Sequence, residues 1–176
     1  EFPVKAYTSN NIRNIAVLGH GGKGKTTLCE AMLYIAGASD RLGRVADGNT
    51  VLDFDSEEKR RKSSVSSAMA ALEWDNTKLN IIDAPGLFDF EGGAAEAVRA
   101  AEAVLIVTSA GSGVDVGTEK AFRAAEKKGA AKFFAVTKTD SDHRNFYKTF
   151  DALKEVYGNK LCPTIIPYME GNITKC

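Results

Sequence analysis

The chain has 176 residues, of which 44% are hydrophobic and 26% charged, proportions that are ordinary for a globular domain with one buried core. Its 23 basic and 23 acidic side chains cancel, which argues against a broad surface for nucleic acid or an anionic membrane. No apolar run approaches the ~20 residues of a membrane span. The three cysteines, Cys29, Cys162 and Cys176, are scattered and odd in number, which favours a reducing, cytoplasmic compartment over disulfides or a zinc site.

A glycine-rich loop lies between the first predicted strand, residues 14–18, and the first predicted helix, residues 25–36. The loop sequence GHGGKGKTT fits the phosphate-binding pattern G-x-x-x-x-G-K-[ST], the P-loop. Its backbone N–H groups would bind phosphates, its lysine would reach the β- and γ-phosphates, and its threonine hydroxyl could ligate Mg²⁺. The alternative, a glycine-rich turn before an ordinary helix, is weaker because the strand–loop–helix order is present. The expected nucleotide contacts are Gly19, His20, Gly21, Gly22, Lys23, Gly24, Lys25, Thr26 and Thr27.

A long polar segment and a hairpin follow. Residues 38–64 show no periodicity, and a loop of that length in a small domain is usually functional or mobile. Residues 65–74 and 78–83 are predicted strands, and the Asp75-Asn76 pair between them favours a tight turn. We therefore expect these two strands to pair antiparallel.

The second half of the chain alternates between helices and strands. The predicted helices cover residues 92–101, 117–128 and 142–157, and the predicted strands cover residues 103–107, 132–136 and 164–166. Strands separated by helices of this length predict an α/β fold of the P-loop NTPase type, with a doubly wound, mostly parallel sheet. The hairpin is the one antiparallel exception. We expect a single domain over residues 1–176.

The strand that ends at Asp83 is followed by Ala84-Pro85-Gly86. Ligands bind beyond the carboxyl ends of the strands in such sheets, so Asp83 could hold Mg²⁺ directly or through water. Pro85 and Gly86 would lie at the phosphates, and Gly86 leaves its backbone N–H free to approach the γ-phosphate. The alternative is a Pro-Gly turn that closes the strand, with Asp83 as a cap.

The strand over residues 132–136 is followed by Thr137-Lys138-Thr139-Asp140. A carboxylate at Asp140 can accept two N–H donors from guanine, and the stem of Lys138 can cover the ring face. Adenine lacks that pair of donors and would leave the carboxylate unpaired. The alternative is that Asp140 and Ser141 cap the helix that follows.

Three motifs together resemble the signature set of the translational GTPases, and within them elongation factor G. They are Gly19-His20-x-x-x-Gly24-Lys25-Thr26-Thr27, Asp83-x-Pro85-Gly86-x-x-Asp89-Phe90 and Lys138-x-Asp140. The stretch from Arg41 to Val45, with Asp47-Gly48 and Asp53 after it, is also similar to the segment that leads into switch I. The resemblance covers about residues 12–167.

The resemblance implies a G domain that binds GTP and GDP with Mg²⁺, in which Lys25 and Gly86 act on the phosphates during hydrolysis. It implies metal ligands at Thr26, Asp83 and a hydroxyl of switch I, a segment of about residues 40–65. The switch I threonine of the family aligns best with Ser64, and Ser63 competes for that assignment. The implied partner of the full-length protein is the ribosome, in translocation, recycling or ribosomal protection.

The chain departs from the family at two positions. A histidine that orients the attacking water follows D-x-P-G in the family, whereas this chain has Leu87, which cannot form a hydrogen bond. We therefore expect slow intrinsic GTP hydrolysis. An asparagine that ties the base loop to the P-loop is replaced by Thr137, and we expect its shorter reach to lower nucleotide affinity. Two alternatives remain: a nucleotide-binding module with little or no GTPase activity, and a partition-type P-loop ATPase, whose loop reads K-G-G-x-G-K-T-T.

Two further segments bear on the protein as a whole. The last guanine-contacting loop of the family has no match, and residues 168–176 resemble the start of its inserted subdomain. We therefore expect a piece truncated before the end of the G domain. The basic run Lys59-Arg60-Arg61-Lys62 has two interpretations, a solvated loop face or, less favoured, a contact to ribosomal RNA.

Overall fold

A five-stranded sheet organises the protein. The computed structural model describes residues 5–140, 145–158, 161–170 and 173–175. The strands of the sheet are β1 (Ile12–Leu18), β2 (Ala68–Trp74), β3 (Thr77–Asp83), β4 (Ala103–Ser109) and β5 (Ala131–Thr137). The helices are α1 (Lys25–Ile35), α2 (Ser56–Arg61), α3 (Glu91–Ala100), α4 (Val116–Lys128) and α5 (Phe146–Tyr157). Two short strands, β6 (Tyr168–Glu170) and β7 (Ile173–Lys175), pair with each other outside the main sheet.

The strand order is β2-β3-β1-β4-β5, with β1 parallel to both β3 and β4, and β4 parallel to β5. The register pairs Val17 with Asp83 and Ser109 with Thr137, so the carboxyl ends of these strands meet at one edge. Only the β2–β3 hairpin of the sheet is antiparallel. The predicted doubly wound, mostly parallel sheet with one antiparallel edge hairpin is confirmed.

The core has two halves, one on each face of the sheet. One face packs against α3 and α4 through small and branched side chains: Ala16, Leu18, Ala97, Val98, Ile106, Ala121 and Ala125. The opposite face packs against α1 through Val17, Cys29, Leu33, Leu52, Ile81 and Val107. Successive residues of β1 point to opposite faces, as the pleat of a strand requires, and both faces are buried. That double burial fixes the position of the loop between β1 and α1.

The turns and helix ends follow local chemistry. Asp75 and Asn76 have φ values of 46° and 58°, the left-handed pair of a type I′ hairpin turn. Gly129 ends α4 with a φ of 72°. The cap of α5 is Asn145, whose side chain accepts hydrogen bonds from the N–H groups of Tyr147 and Lys148. Asp140 therefore does not cap this helix, and predicted helical residues 142–144 lie outside the described residues.

Helix α2 lies in the segment that the sequence predicted to be irregular. Asp55 caps it by accepting a hydrogen bond from the N–H of Glu57 (2.7 Å), and Glu58 accepts one from the N–H of Asp55 (3.3 Å). Glu58 also accepts from the N–H groups of Val65 (2.9 Å) and Ser66 (3.2 Å). Because these donors bind a side chain instead of a strand, β2 begins three residues later than predicted.

The predicted strand over residues 164–166 is wrong. These residues lie outside regular secondary structure, and Ile165 and Ile166 are 66% and 45% exposed. Pro163 and Pro167 bracket the run, and neither has an N–H group to donate to a neighbouring strand. In the part of the chain that the structure describes, helices with the length and apolar character needed to span a membrane are absent.

Candidate nucleotide-binding site

The loop between β1 and α1 is shaped by close contacts that exclude side chains. Gly19 has a φ of +139°, and a Cβ there would lie 2.2 Å from the carbonyl oxygen of Val107 on β4. Gly24 caps α1 with a φ of 88°. Both positions therefore require glycine. The loop is consequently pressed against β4, and the N-terminus of α1 that follows it could bind an anion.

Lys25 is held inside this loop. Its side chain is only 6% exposed, and its ammonium donates to the carbonyl oxygens of Gly19 (3.0 Å) and His20 (3.1 Å). Burial lowers the pKa of Lys25, while the nearby carboxylate of Asp83 acts in the opposite direction. A phosphate at the loop would offer the ammonium a charged acceptor in place of two carbonyl groups.

A cluster of four oxygen-bearing side chains, called here the oxygen cluster, lies beneath the loop: Thr26, Asp53, Ser64 and Asp83. The hydroxyl of Thr26 donates to Asp83 Oδ2 (2.6 Å) and lies 3.2 Å from the hydroxyl of Ser64. Ser64 in turn donates to Asp53 Oδ1 (2.7 Å). All four side chains are buried. The structure thus brings together the predicted ligands Thr26, Ser64 and Asp83, and it favours Ser64 over Ser63, which forms no bond to the cluster.

The oxygen cluster fits a divalent cation. Asp83 Oδ1 and Asp53 Oδ2 are buried and have no hydrogen-bond partner among the described residues. Burial raises the pKa of Asp83 to about 7, against the hydrogen bond from Thr26, and burial also raises the pKa of Asp53. Carboxylate and hydroxyl oxygens are the hard ligands that Mg²⁺ prefers. Within the described residues, no three His, Cys, Asp or Glu side chains could hold a metal alone, so a cation here would also need hydroxyl, water or phosphate oxygens.

Asp53 is a functional candidate that the sequence analysis did not assign. It lies at the start of the α2 region and reaches the other three side chains only through the folding of residues 43–64. The sequence contains one signal for Asp53, which is its position in the stretch that resembles the segment leading into switch I. No spacing between residues in the sequence, however, predicts that Asp53 contacts Ser64.

Thr137 ties the base loop to the P-loop. Its hydroxyl lies 2.7 Å from the carbonyl oxygen of Lys23 and 3.1 Å from that of Thr108. The expectation that threonine loses the reach for this contact is therefore wrong, because the register of β5 places the residue beside the P-loop. The lower nucleotide affinity inferred from that expectation stays a prediction. Lys138, at a φ of 57°, donates to the carbonyl oxygen of Gly22 (2.7 Å).

A cleft of about 230 Å³ follows the P-loop. The predicted residues that line it are Gly21, Gly22, Gly24, Lys25, Thr26, Thr27, Ser64, Gly86 and Lys138. Residues from the switch I segment complete the wall: Val45, Asp53, Lys62 and Ser63. Seven predicted residues do not line the cleft: Gly19, His20, Lys23, Asp83, Pro85, Thr137 and Asp140. Asp83 is connected to the cleft by its hydrogen bond with Thr26, which lines the cleft. Asp140 is exposed and forms no hydrogen bond with the described residues.

The side chain of Lys23 turns away from the cleft. Its ammonium lies 3.2 Å from Asp115 Oδ2 and donates to the hydroxyl of Ser112 (2.7 Å). A Cβ on Gly117 would lie 2.6 Å from the Cα of His20, so the start of α4 packs directly on the loop. Lys23 therefore braces the P-loop against α4, and its carbonyl group, rather than its ammonium, faces the base loop.

Gly86 and Leu87 follow β3 and lie beside the P-loop. A Cβ on Gly86 would lie 2.2 Å from Lys25 Nζ, so only glycine fits. The side chain of Leu87 is 39% exposed and contacts the P-loop, since a Cβ on Gly21 would lie 3.1 Å from its Cδ2. Leu87 lines a second, apolar cavity of about 370 Å³ between α3 and α4 instead of the nucleotide cleft. Of the two histidines, His20 belongs to the P-loop and His143 lies outside the described residues.

Comparison with known proteins decides the family. The family model described as the elongation factor Tu GTP binding domain matches residues 10–171. The chain belongs to this family of translational GTPases. The partition-type ATPase alternative is therefore excluded, and the site is that of a translation-factor G domain, whose family binds guanine nucleotides.

Several relatives are similar over most of the chain. An elongation factor G-like protein of Mycobacterium tuberculosis is 37% identical over 92% of this chain. Elongation factor G of Granulibacter bethesdensis is 33% identical over 89%, and the mitochondrial ribosome-releasing factor 2 of Debaryomyces hansenii is 34% identical over 90%. A crystal structure of a Thermus thermophilus protein aligns with a TM-score of 0.88 and 39% identity over 93% of the chain.

The translational GTPase chain covers only part of these relatives. It corresponds to 23% of the M. tuberculosis protein, 18% of the D. hansenii factor and 24% of the T. thermophilus chain. A bacterial selenocysteine-specific elongation factor is more distant, with a TM-score of 0.63 and 26% identity. The likeness is therefore to the GTP-binding domain, and it is greater to the elongation factor G-type proteins.

Proposed function

We propose that this domain binds GTP and GDP together with Mg²⁺, hydrolyses GTP slowly, and serves a larger cytoplasmic protein that acts on the ribosome. The observation that carries the proposal is the oxygen cluster beneath the P-loop, where Thr26, Ser64 and Asp83 meet within hydrogen-bond distance. The names of the relatives, elongation factor G and ribosome-releasing factor 2, support the ribosome as partner. Free cysteines at positions 29 and 162 are consistent with a reducing compartment.

The P-loop residues would bind the phosphates. The backbone N–H groups of residues 21–26 and the N-terminus of α1 supply donors and positive dipole ends to an anion. Lys25 would exchange its bonds to the Gly19 and His20 carbonyl groups for a phosphate oxygen. Gly86, which touches Lys25, would present its N–H to the terminal phosphate.

Thr26, Ser64 and Asp83 would hold the cation, and Asp53 would orient Ser64 through the hydrogen bond between them. Mg²⁺, when bound, offsets the negative charge of the β- and γ-phosphates. The two buried carboxylate oxygens without a partner, Asp83 Oδ1 and Asp53 Oδ2, support this assignment, because a cation removes the cost of leaving them unpaired.

Base selection would fall to the loop after β5. Lys138 lines the cleft and is fixed to Gly22, so the base would lie beside its stem. Asp140 is exposed two residues further along, where its carboxylate is accessible to the N–H donors of guanine. The hydrogen bond of Thr137 to Lys23 supports a base loop that is already positioned against the P-loop.

Leu87 is the reason to expect slow hydrolysis. The attacking water must be held in line with the terminal phosphate, and a side chain without a polar atom cannot orient it. Leu87 lies against the P-loop at Gly21, so a histidine at this position would start beside the phosphates. The second candidate function, nucleotide binding with little or no turnover, rests on the same observation.

The test is GTP turnover by the intact protein, with and without ribosomes, for the wild type and for Leu87→His. We expect slow turnover by the wild type and, in Leu87→His, an increase in kcat of about tenfold or more with little change in the Kd for GDP. Leu87→Ala is the matched control, because it also removes the leucine but adds no hydrogen-bonding group.

Titration with GDP and with ADP completes the experiment. Binding of GDP in preference to ADP supports the nucleotide assignment, and equal affinity for both contradicts it. Turnover by the wild type at the rate of Leu87→His contradicts the role given to Leu87. Nucleotide binding without turnover in the wild type, with or without ribosomes, favours the second candidate function.

A further inference from the structure

The basic run at residues 59–62 divides into two parts in the structure. Arg60 and Arg61 both form ion pairs with Glu57, at 2.6 Å and 2.5 Å, on the exposed face of α2. The stem of Lys59 lies beside Gly48, where a Cβ would be 3.7 Å from Lys59 Cγ. Lys62 alone in this run lines the nucleotide cleft. All four side chains of the run are exposed, and Lys62 differs from the other three in lining the cleft.

Lys62 differs from the other lysines of the cleft. Lys25 donates to the Gly19 and His20 carbonyl groups, and Lys138 donates to that of Gly22. The ammonium of Lys62 makes no hydrogen bond or ion pair with any residue that the structure describes. Lys62 is exposed, so its ammonium is accessible to a ligand in the cleft.

The backbone at Lys62 is also unusual. The residue follows α2 with a φ of 54° and a ψ of 40°, the left-handed region that glycine normally occupies at this point of a helix. The backbone at Lys62 is held on both sides, because its N–H donates to the carbonyl oxygen of Glu58 and the buried Ser64, two residues further on, is bonded to Thr26 and Asp53. A left-handed, non-glycine residue whose ammonium forms no bond with the described residues and lines a cleft suggests a ligand contact.

We propose that Lys62 is an additional phosphate-binding residue, which favours the triphosphate over the diphosphate. The inference rests on the proposed function, since it requires GTP and GDP as ligands. Lys62 lines the same cleft as three members of the oxygen cluster, Thr26, Asp53 and Ser64, and it lies two residues before Ser64 in the chain. An ammonium at that end attracts the terminal phosphate, which GTP has and GDP lacks.

The experiment compares four variants of the intact protein by their Kd values for GDP and for a non-hydrolysable GTP analogue, with Mg²⁺ in excess. Lys62→Gln removes the charge but keeps a Cβ in the left-handed region, and Lys62→Gly removes both charge and strain. Lys62→Arg keeps the charge. Lys59→Gln is the matched control, because it removes a charge from the same run outside the cleft.

We expect Lys62→Gln and Lys62→Gly to weaken binding of the GTP analogue by about five- to tenfold and binding of GDP by less than twofold. Lys62→Arg and Lys59→Gln should bind both nucleotides as the wild type does. The thermal unfolding midpoint of Lys62→Gln should stay near that of the wild type, because both residues have the same backbone constraint.

Three outcomes would overturn the inference. One is an unchanged ratio of the two Kd values in Lys62→Gln, since a contact to the terminal phosphate must alter it. Another is weaker binding in Lys62→Gln with full binding in Lys62→Gly, which would assign the effect to the backbone instead of the charge. Failure of the wild type to bind either nucleotide would overturn the proposed function, and this inference with it.

Discussion

Glu30 joins α1 to the segment that contains Asp53. The side chain is 0% exposed, and its Oε1 accepts hydrogen bonds from the N–H groups of Val51 (2.7 Å) and Leu52 (3.0 Å). A Cβ on Gly43 would lie 2.1 Å from Glu30 Oε2, so the segment also closes over the other oxygen. We predict that Glu30→Ala destabilises the protein and releases residues 43–53 from α1.

The expected magnitude follows from these two bonds. A buried N–H group without an acceptor costs about 1–3 kcal/mol, so the loss of both acceptors would cost about 2–6 kcal/mol. Removing a buried carboxylate also removes its desolvation penalty, which shifts the value toward the lower end. We therefore expect a loss of about 3 kcal/mol in the free energy of unfolding for Glu30→Ala. Glu30→Gln keeps an oxygen acceptor at the same place, and its loss should be about 1 kcal/mol.

Urea unfolding of the wild type and the two variants measures this difference directly, provided that the m-value is unchanged. The nucleotide site gives a second measurement, because Asp53 follows Leu52 in the chain. Glu30→Ala should weaken the Mg²⁺-dependent part of GDP binding more than Glu30→Gln does. A Glu30→Ala variant within about 0.5 kcal/mol of the wild type would refute the reasoning, as would equal losses in the two variants.

Two further predictions concern the base loop and the cysteines. Thr137→Val should weaken GDP binding about two- to tenfold in a calorimetric titration, because it removes the hydroxyl that lies 2.7 Å from the Lys23 carbonyl oxygen. Thr137→Ser keeps that hydroxyl and should bind GDP as the wild type does. Equal affinity in the two variants would contradict the tether, and Thr137→Asn tests whether threonine lowers affinity at all. Burial raises the pKa of the Cys29 thiol well above its usual value, which keeps the thiol protonated and unreactive. An alkylating reagent should therefore modify the exposed Cys162 in the folded protein, and it should modify Cys29 only after unfolding. Peptide mass mapping measures both sites, and modification of Cys29 at the rate of Cys162 would contradict the prediction.

Much of the fold could be predicted from the sequence because its signals are local. The apolar runs of the buried strands, the glycine at the end of α4 and the Asp75-Asn76 turn each act within a few residues. Helix α2 was missed although Asp55 and Glu58 form a capping box that the sequence contains. A helix of six residues offers too few positions for a hydrophobic periodicity, and the residues of α2 are nearly all charged. The capping box was therefore the only sequence signal for this helix.

The residues of the candidate site also differ in whether a local sequence signal identifies them. Lys25, Thr26 and Asp83 could be predicted because each belongs to a motif at a strand end. Asp53 and Glu30 could not, because their partners are brought to them only by the folding of residues 43–64 over α1. Contacts of this kind depend on the path of a long segment, which no spacing in the sequence records.

The two departures from the family pattern have different physical consequences. Thr137 retains a donor, so the register of β5 can place its hydroxyl at the Lys23 carbonyl group and restore the tether that the shorter side chain was expected to lose. Leu87 has no polar atom, and no position of its side chain against Gly21 can orient a water molecule. Geometry can therefore compensate for a changed side chain only where the functional group is preserved. We therefore expect nucleotide binding and hydrolysis to be separable in this domain, with hydrolysis, but not binding, limited at Leu87.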